Sequence, residues 1–182
     1  MARIPLITTR EQVSPDFREL YDFIERTRGS VGGPFMVQFH LPELLQITEK
    51  LGGYLRFQSP LPQDVIELVT IAVAREMDCP YVWGAHAPLA LKHGVRPECV
   101  DAIKHRRSPD GLTGEEAQLV CYVQQLHRTN RAEEATFQAL LTRFGAANMV
   151  AVTALVGHYG MVATTVNAFE IPIRPDMDQL PV

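Results

Sequence analysis

The sequence predicts an all-α domain of about seven or eight helices, and three observations carry that expectation. Helix start and stop signals recur along the chain, with Ser or Thr caps, Pro at first helical positions and Gly at the ends. There is no Asn-Gly hairpin signal and no sustained period-two alternation of apolar and polar residues. A chain of 182 residues also buries enough surface, roughly 70% of what its unfolded form exposes, to fold without disulfides or a structural metal.

The elements follow in order. "SPDFRELYDFIERTRG" offers Ser14 as a cap, Pro15 at the first helical position and Gly29 as the stop. "LPELLQITEKLGGYLRF" starts at Pro42, and Gly52-Gly53 is expected to weaken or bend it. "LPQDVIELVTIAVAREMD" opens at Pro62 and is apolar around nearly its whole circumference from Leu68 to Ala74, the pattern of a central helix. "CPYVWGAHAPLALKHG" is led in by Asp78-Cys79-Pro80 and closed by Gly94, with Pro88 expected to kink or break it. "RPECVDAIKHR" is a short helix, and "LTGEEAQLVCYVQQLHR" begins with a capping box of Thr113 and Glu116. "AEEATFQALLTRFG" stops at Gly145, and a last long helix spans about Asn148 to Ala168. One domain, residues 1–182, is expected, with a core over about 14–169 and arms at 1–13 and 170–182.

Composition narrows the function. The chain is 46% hydrophobic and 21% charged, as in ordinary soluble proteins. A net charge of −4 leaves no basic footprint, so nucleic acid and anionic membranes are not expected partners. "MARIPLITTR" lacks the apolar core of a secretory signal, and no apolar run is read as approaching the ~20 residues of a membrane span. Cys79, Cys99 and Cys121 form an odd set without paired spacing, which suits reduced thiols and a cytoplasmic chain. No His-Glu-x-x-His or Cys-x-x-Cys pattern is present, so no metal is expected. "GSVGGP" lacks the Lys and the preceding strand of a nucleotide loop.

The segment "EMDCPYVWGAH" holds the candidate chemistry. Cys79 lies at a helix start, where unpaired N–H groups favour a thiolate, and His86 returns to nearly the same face two turns later. Such spacing serves either a site or a packed helix start. Glu67 sits one turn into the greasiest helix; it is either an exposed first-turn acid or a buried carboxylate that needs a donor, for which an imidazole is a natural choice. Cys79 is read as a packing residue, a hydrogen-bond donor or a nucleophile, with Asp78 opposing thiolate formation. Tyr81, Trp83 and His158 are candidates for substrate binding, each with core packing as its alternative.

The segment from Gly33 to Phe169, about three quarters of the chain, resembles the carboxymuconolactone decarboxylase family, which shares its fold with alkylhydroperoxidase D-like proteins. The resemblance rests on "GPFMVQFHLPELL", "ELVTIAVAREMDCPYVWGAHAPLALKHGV" and "VTALVGHYGMVATTVNAF". Its specific part is the spacing of Glu67, then Cys79, then His86. In the peroxidase branch the motif after the Glu is a Cys-x-His-Cys-x-x-x-His run. Here Tyr81 replaces the first His and Val82 the second Cys, so a two-cysteine disulfide cycle is not expected. The resemblance then implies lyase or proton-transfer chemistry on a small carboxylated or carbonyl-bearing molecule. It implies no cofactor, with His86 and Glu67 as the acid-base pair. It also implies a homo-oligomer, trimer or hexamer, with the pocket near a subunit interface. The alternatives are peroxide reduction by Cys79 alone and a catalytically silent family member that serves binding or assembly.

Overall fold

The structure is a computed structural model and describes residues 2–108 and 111–182. The described residues form eight α-helices and no strand, after two short 3-10 turns at Arg10–Gln12 and Pro15–Phe17. The helices are α1 (Arg18–Arg28), α2 (Phe35–Gln38), α3 (Pro42–Phe57), α4 (Gln63–Glu76), α5 (Pro80–Lys92), α6 (Pro97–Lys104), α7 (Gly114–Thr129) and α8 (Glu134–Ala168).

α4 is the centre, as its all-round apolar sequence predicts. Every residue from Val65 to Arg75 is buried, and α5, α7 and α8 pack around it. The Thr113–Glu116 capping box opens α7 as expected. Gly145 takes φ 72°, ψ 166° inside α8, so two helical stretches meet there at a kink. α1 begins later than Pro15 suggests, because Pro15–Phe17 closes as a 3-10 turn instead. The one-turn helix α2 carries no sequence signal of its own and follows Gly33, whose φ is 59°.

Three expectations change on inspection. α5 continues through Pro88, forgoing one hydrogen bond, because its N-terminal half is locked between α4 and the C-terminal tail. α3 runs unbroken through Gly52-Gly53, and Gly52 serves close packing: a Cβ there would lie 2.8 Å from His158 Nε2. α8 does pass for a membrane span by length and composition, with an 18-residue stretch of mean hydropathy 1.5, whereas no such run is apparent from the sequence. It nevertheless lies against α4 with Val152, Leu155, Val156, Tyr159 and Val166 buried.

Both arms fold onto their own chain. The backbone of Arg3 bonds Phe169, and Ile7 bonds Met36. In the tail, Ile171 and Leu180 are buried, and Asp178 accepts from Trp83 and Lys104. The tail crosses α5 at Gly84, where a Cβ would meet Met177 Cβ at 2.8 Å.

Candidate active site

Helical geometry brings Glu67 and His86 together. Glu67 projects from the first half of α4 and is 1% exposed, which decides for the buried carboxylate over the first-turn acid. His86, on α5, is 8% exposed, and its Nδ1 lies 2.7 Å from Glu67 Oε2. Burial pushes the His86 pKa below the usual imidazole range, outweighing the opposite pull of Glu67. A neutral ring facing a carboxylate carries its proton on Nδ1 and donates it to Glu67, so Nε2 keeps the lone pair.

Tyr159 of α8 completes the line. Its hydroxyl stands 3.4 Å from His86 Nε2, and the two rings meet edge-on with centroids 5.1 Å apart. Burial raises the phenol to about 12, so the oxygen stays protonated and acts as a donor. On the other side, an Arg56 guanidinium nitrogen lies 3.8 Å from Glu67 Oε1.

His86, Tyr159 and Arg56, with Glu67 bonded behind His86 and outside the lining, border a cavity of about 210 Å³, below the roughly 300–1,000 Å³ of drug-sized pockets and suited to a small molecule. His86, His158, Tyr159 and Tyr81 all line it, together with Arg28 from the end of α1 and Arg56 from α3. The Tyr81 ring packs over Gly33, where a Cβ would come within 2.6 Å, and its hydroxyl is hydrogen-bonded by the Gly33 amide. His158 packs edge-on to Tyr159, and its buried Nδ1 has no partner among the described residues. Burial, helped by Arg28 and Arg56, lowers its pKa to about 4.

Cys79 and Trp83 do not line the cavity. Cys79 is fully buried at the N-cap of α5, and burial pushes its thiol up to about 11 although the Tyr81 and Val82 amides point at it. Trp83 faces the C-terminal tail, which favours the packing alternative over substrate binding, and its indole N–H donates to Asp178 at 2.8 Å. The reason is angular: at roughly 3.6 residues per turn position 83 lies about 60° around α5 from position 86, on the side opposite Val82 and Ala85, which line the cavity. Tyr159, Arg28 and Arg56 carry no sequence signal. They come from helices far apart in the chain, and an Arg in a last helical turn reads as a dipole partner.

Residues 42–125 match the family model for the carboxymuconolactone decarboxylase family. No curated protein matches the chain. Among solved structures, an uncharacterized peroxidase-related protein from Ralstonia eutropha JMP134, described as an alkylhydroperoxidase AhpD core, superposes with TM-score 0.78 at 15% identity, covering 96% of this chain and 93% of that one. An uncharacterized peroxidase-related protein from Silicibacter sp. TM1040 gives TM-score 0.74 at 16% identity, covering 99% and 98%. A protein of unknown function from Agrobacterium tumefaciens gives 0.64 at 19% identity, covering 73% and 93%. Identities this low speak for the shared fold alone. The segment that is similar to the carboxymuconolactone decarboxylase family includes Glu67, Cys79 and His86, and the helical architecture is the AhpD-like fold of these structures.

Proposed function

We propose that the chain is a cofactor-independent enzyme of lyase or proton-transfer type, acting on a small carboxylated or carbonyl-bearing molecule. The observation that carries this reading is the 2.7 Å pair of Glu67 and a neutral His86 at the wall of a small cavity. A base of this kind takes a proton from carbon next to a carbonyl. The C–H electron pair moves onto the carbonyl oxygen, and the imidazolium that forms is stabilised by Glu67. The proton then returns to the same or a neighbouring carbon. For decarboxylation the bond to the carboxylate carbon breaks instead, carbon dioxide leaves, and Nε2 must first take from water the proton it delivers. Tyr159 is the donor placed beside Nε2.

Peroxide reduction through Cys79 is the second reading. It is favoured by the thiol's place at the α5 N-terminus with the Tyr81 and Val82 amides turned toward it. The two readings separate by substitution. Turnover of small lactone and oxo-carboxylates is expected to vanish in His86→Gln and persist in Cys79→Ser. Consumption of hydrogen peroxide that survives His86→Gln and disappears in Cys79→Ser favours the thiol. Absence of both activities favours the silent member.

The same reading puts the chain in a homo-oligomer. Leu44, Ile47, Leu51 and Tyr54 share one face of α3 and are exposed, a stripe that a second copy would cover. Three free thiols, none paired, suit a reducing compartment.

A further inference from the structure

Two guanidinium groups in the cavity have hydrogen-bonding capacity that the proton-transfer chemistry does not use. The Arg28 side chain is only 10% exposed, and its Nη2 donates to Glu49 Oε1 at 3.0 Å. Its Nε and Nη1 are buried and meet no acceptor among the described residues. Arg56 is 22% exposed on its side chain, lies at long range from Glu67, and leaves Nε in the same condition. Both guanidinium carbons pack on one ring, Phe57, at 4.6 Å and 5.0 Å from its centroid, so α3 holds two like charges at a fixed spacing. Burying donors of this kind without an acceptor is strongly unfavourable. Nδ1 of His158, on the same cavity, is a further buried polar atom without a partner among the described residues.

We propose that Arg28 and Arg56 form a clamp for the carboxylate of a compact organic acid. Charge-assisted bonds from guanidinium to carboxylate are the strongest available to these groups. The rest of the lining explains why the ligand is organic: Phe35, Val82, Met161 and Val162 offer a carbon skeleton an apolar wall that inorganic phosphate would leave unused. Glu49 and Glu67 cancel the formal charge of the two arginines but engage them from one side only. A neutral carbonyl ligand is therefore the real competitor, and the test must distinguish it.

The clamp deepens the proton-transfer reading by stating which end of the substrate is gripped, and it rests on that reading only for the turnover of what binds. Isothermal titration of the full chain with benzoate, benzamide and inorganic phosphate tests it. Benzoate is expected to bind, with benzamide roughly 10- to 100-fold weaker and phosphate no tighter than benzamide. Arg56→Gln, and the paired change Arg28→Gln with Glu49→Gln that avoids stranding a buried carboxylate, are each expected to weaken benzoate over that range. Benzamide binding should hardly change in either, and Arg56→Lys should recover part of the loss. Equal affinity for benzoate and benzamide, no binding of benzoate, tighter phosphate binding, or unaltered benzoate affinity in Arg56→Gln overturns the clamp. The comparison of ligands on the wild-type chain needs no variant to fold. His86→Gln separates the two ideas. Benzoate binding retained there with turnover lost supports both. Failure of benzoate to bind the wild type, with turnover still dependent on His86, removes the clamp alone.

Discussion

At His86 two influences oppose each other: burial disfavours the charged ring, the Glu67 carboxylate favours it, and burial is the larger. The ring therefore loses its proton at a lower pH than an ordinary imidazole, whose value is 6.5. Activity that uses Nε2 as a base is expected to fall on the acid side, at a lower pH than a free imidazole would impose. A pH profile with its acid limb above 6.5 would mean that Glu67 dominates instead. His86→Gln should lower kcat by roughly 10²–10⁴-fold, the usual weight of a general base. Glu67→Gln should also lower kcat, because an amide can donate to Nδ1 and hold the proton on the wrong nitrogen. His158 adds a stability signature. Its folded pKa is about 4 against an ordinary 6.5, so between these values the unfolded chain binds a proton that the folded chain refuses. Its effect is therefore absent above pH 6.5 and erodes stability progressively as pH falls to about 4. The melting temperature of wild type should drop across that window more steeply than that of His158→Gln. Parallel curves would clear His158 of this role.

At the scale of the element, α4 and α5 were the readable part of the molecule. Glu67 and His86 lie on consecutive helices, and the apolar circumference of α4 already implies that a carboxylate on it needs a partner. Tyr159 escaped because "GHYG" sits on a helix with apolar residues on most sides, where period alone assigns no inward direction. For the same reason the period leaves Trp83 open between substrate binding and core packing, and the structure shows it packed toward the tail. Gly52 reads as a weak point in its helix, yet it admits a close neighbour, His158, as Gly84 admits the C-terminal tail. Gly84→Ala forces a Cβ to within 2.8 Å of Met177 Cβ and 3.1 Å of the Asp178 backbone oxygen. It should cost about 1–3 kcal/mol and loosen the tail. Thermal melting combined with limited proteolysis near residues 170–182 checks this, and an unchanged cleavage pattern would mean that the tail is held elsewhere, as by Arg75 on the Pro181 carbonyl.

For the whole molecule, the all-helical architecture follows from start and stop signals that each act locally, which is why a single sequence shows it. The cavity is different. Its wall is assembled from α1, α2, α3, α5 and α8, and only the finished packing of these helices brings Arg28 and Arg56 beside His86. The exposed stripe of Leu44, Ile47, Leu51 and Tyr54 is a property of the same scale. Light scattering after size exclusion should give an oligomeric mass for the wild type and a smaller mass for Ile47→Glu. A monomeric wild type would show that this face is left to solvent.

The central claim is that His86, oriented by Glu67, moves a proton at carbon in a bound small acid. Nuclear magnetic resonance of small oxo-carboxylates in deuterium oxide measures it directly. The wild-type chain and Cys79→Ser should both speed deuterium entry next to the carbonyl of at least one such acid, and His86→Gln should not. Exchange at the uncatalysed rate across the series, or equal exchange with His86→Gln, would contradict the account.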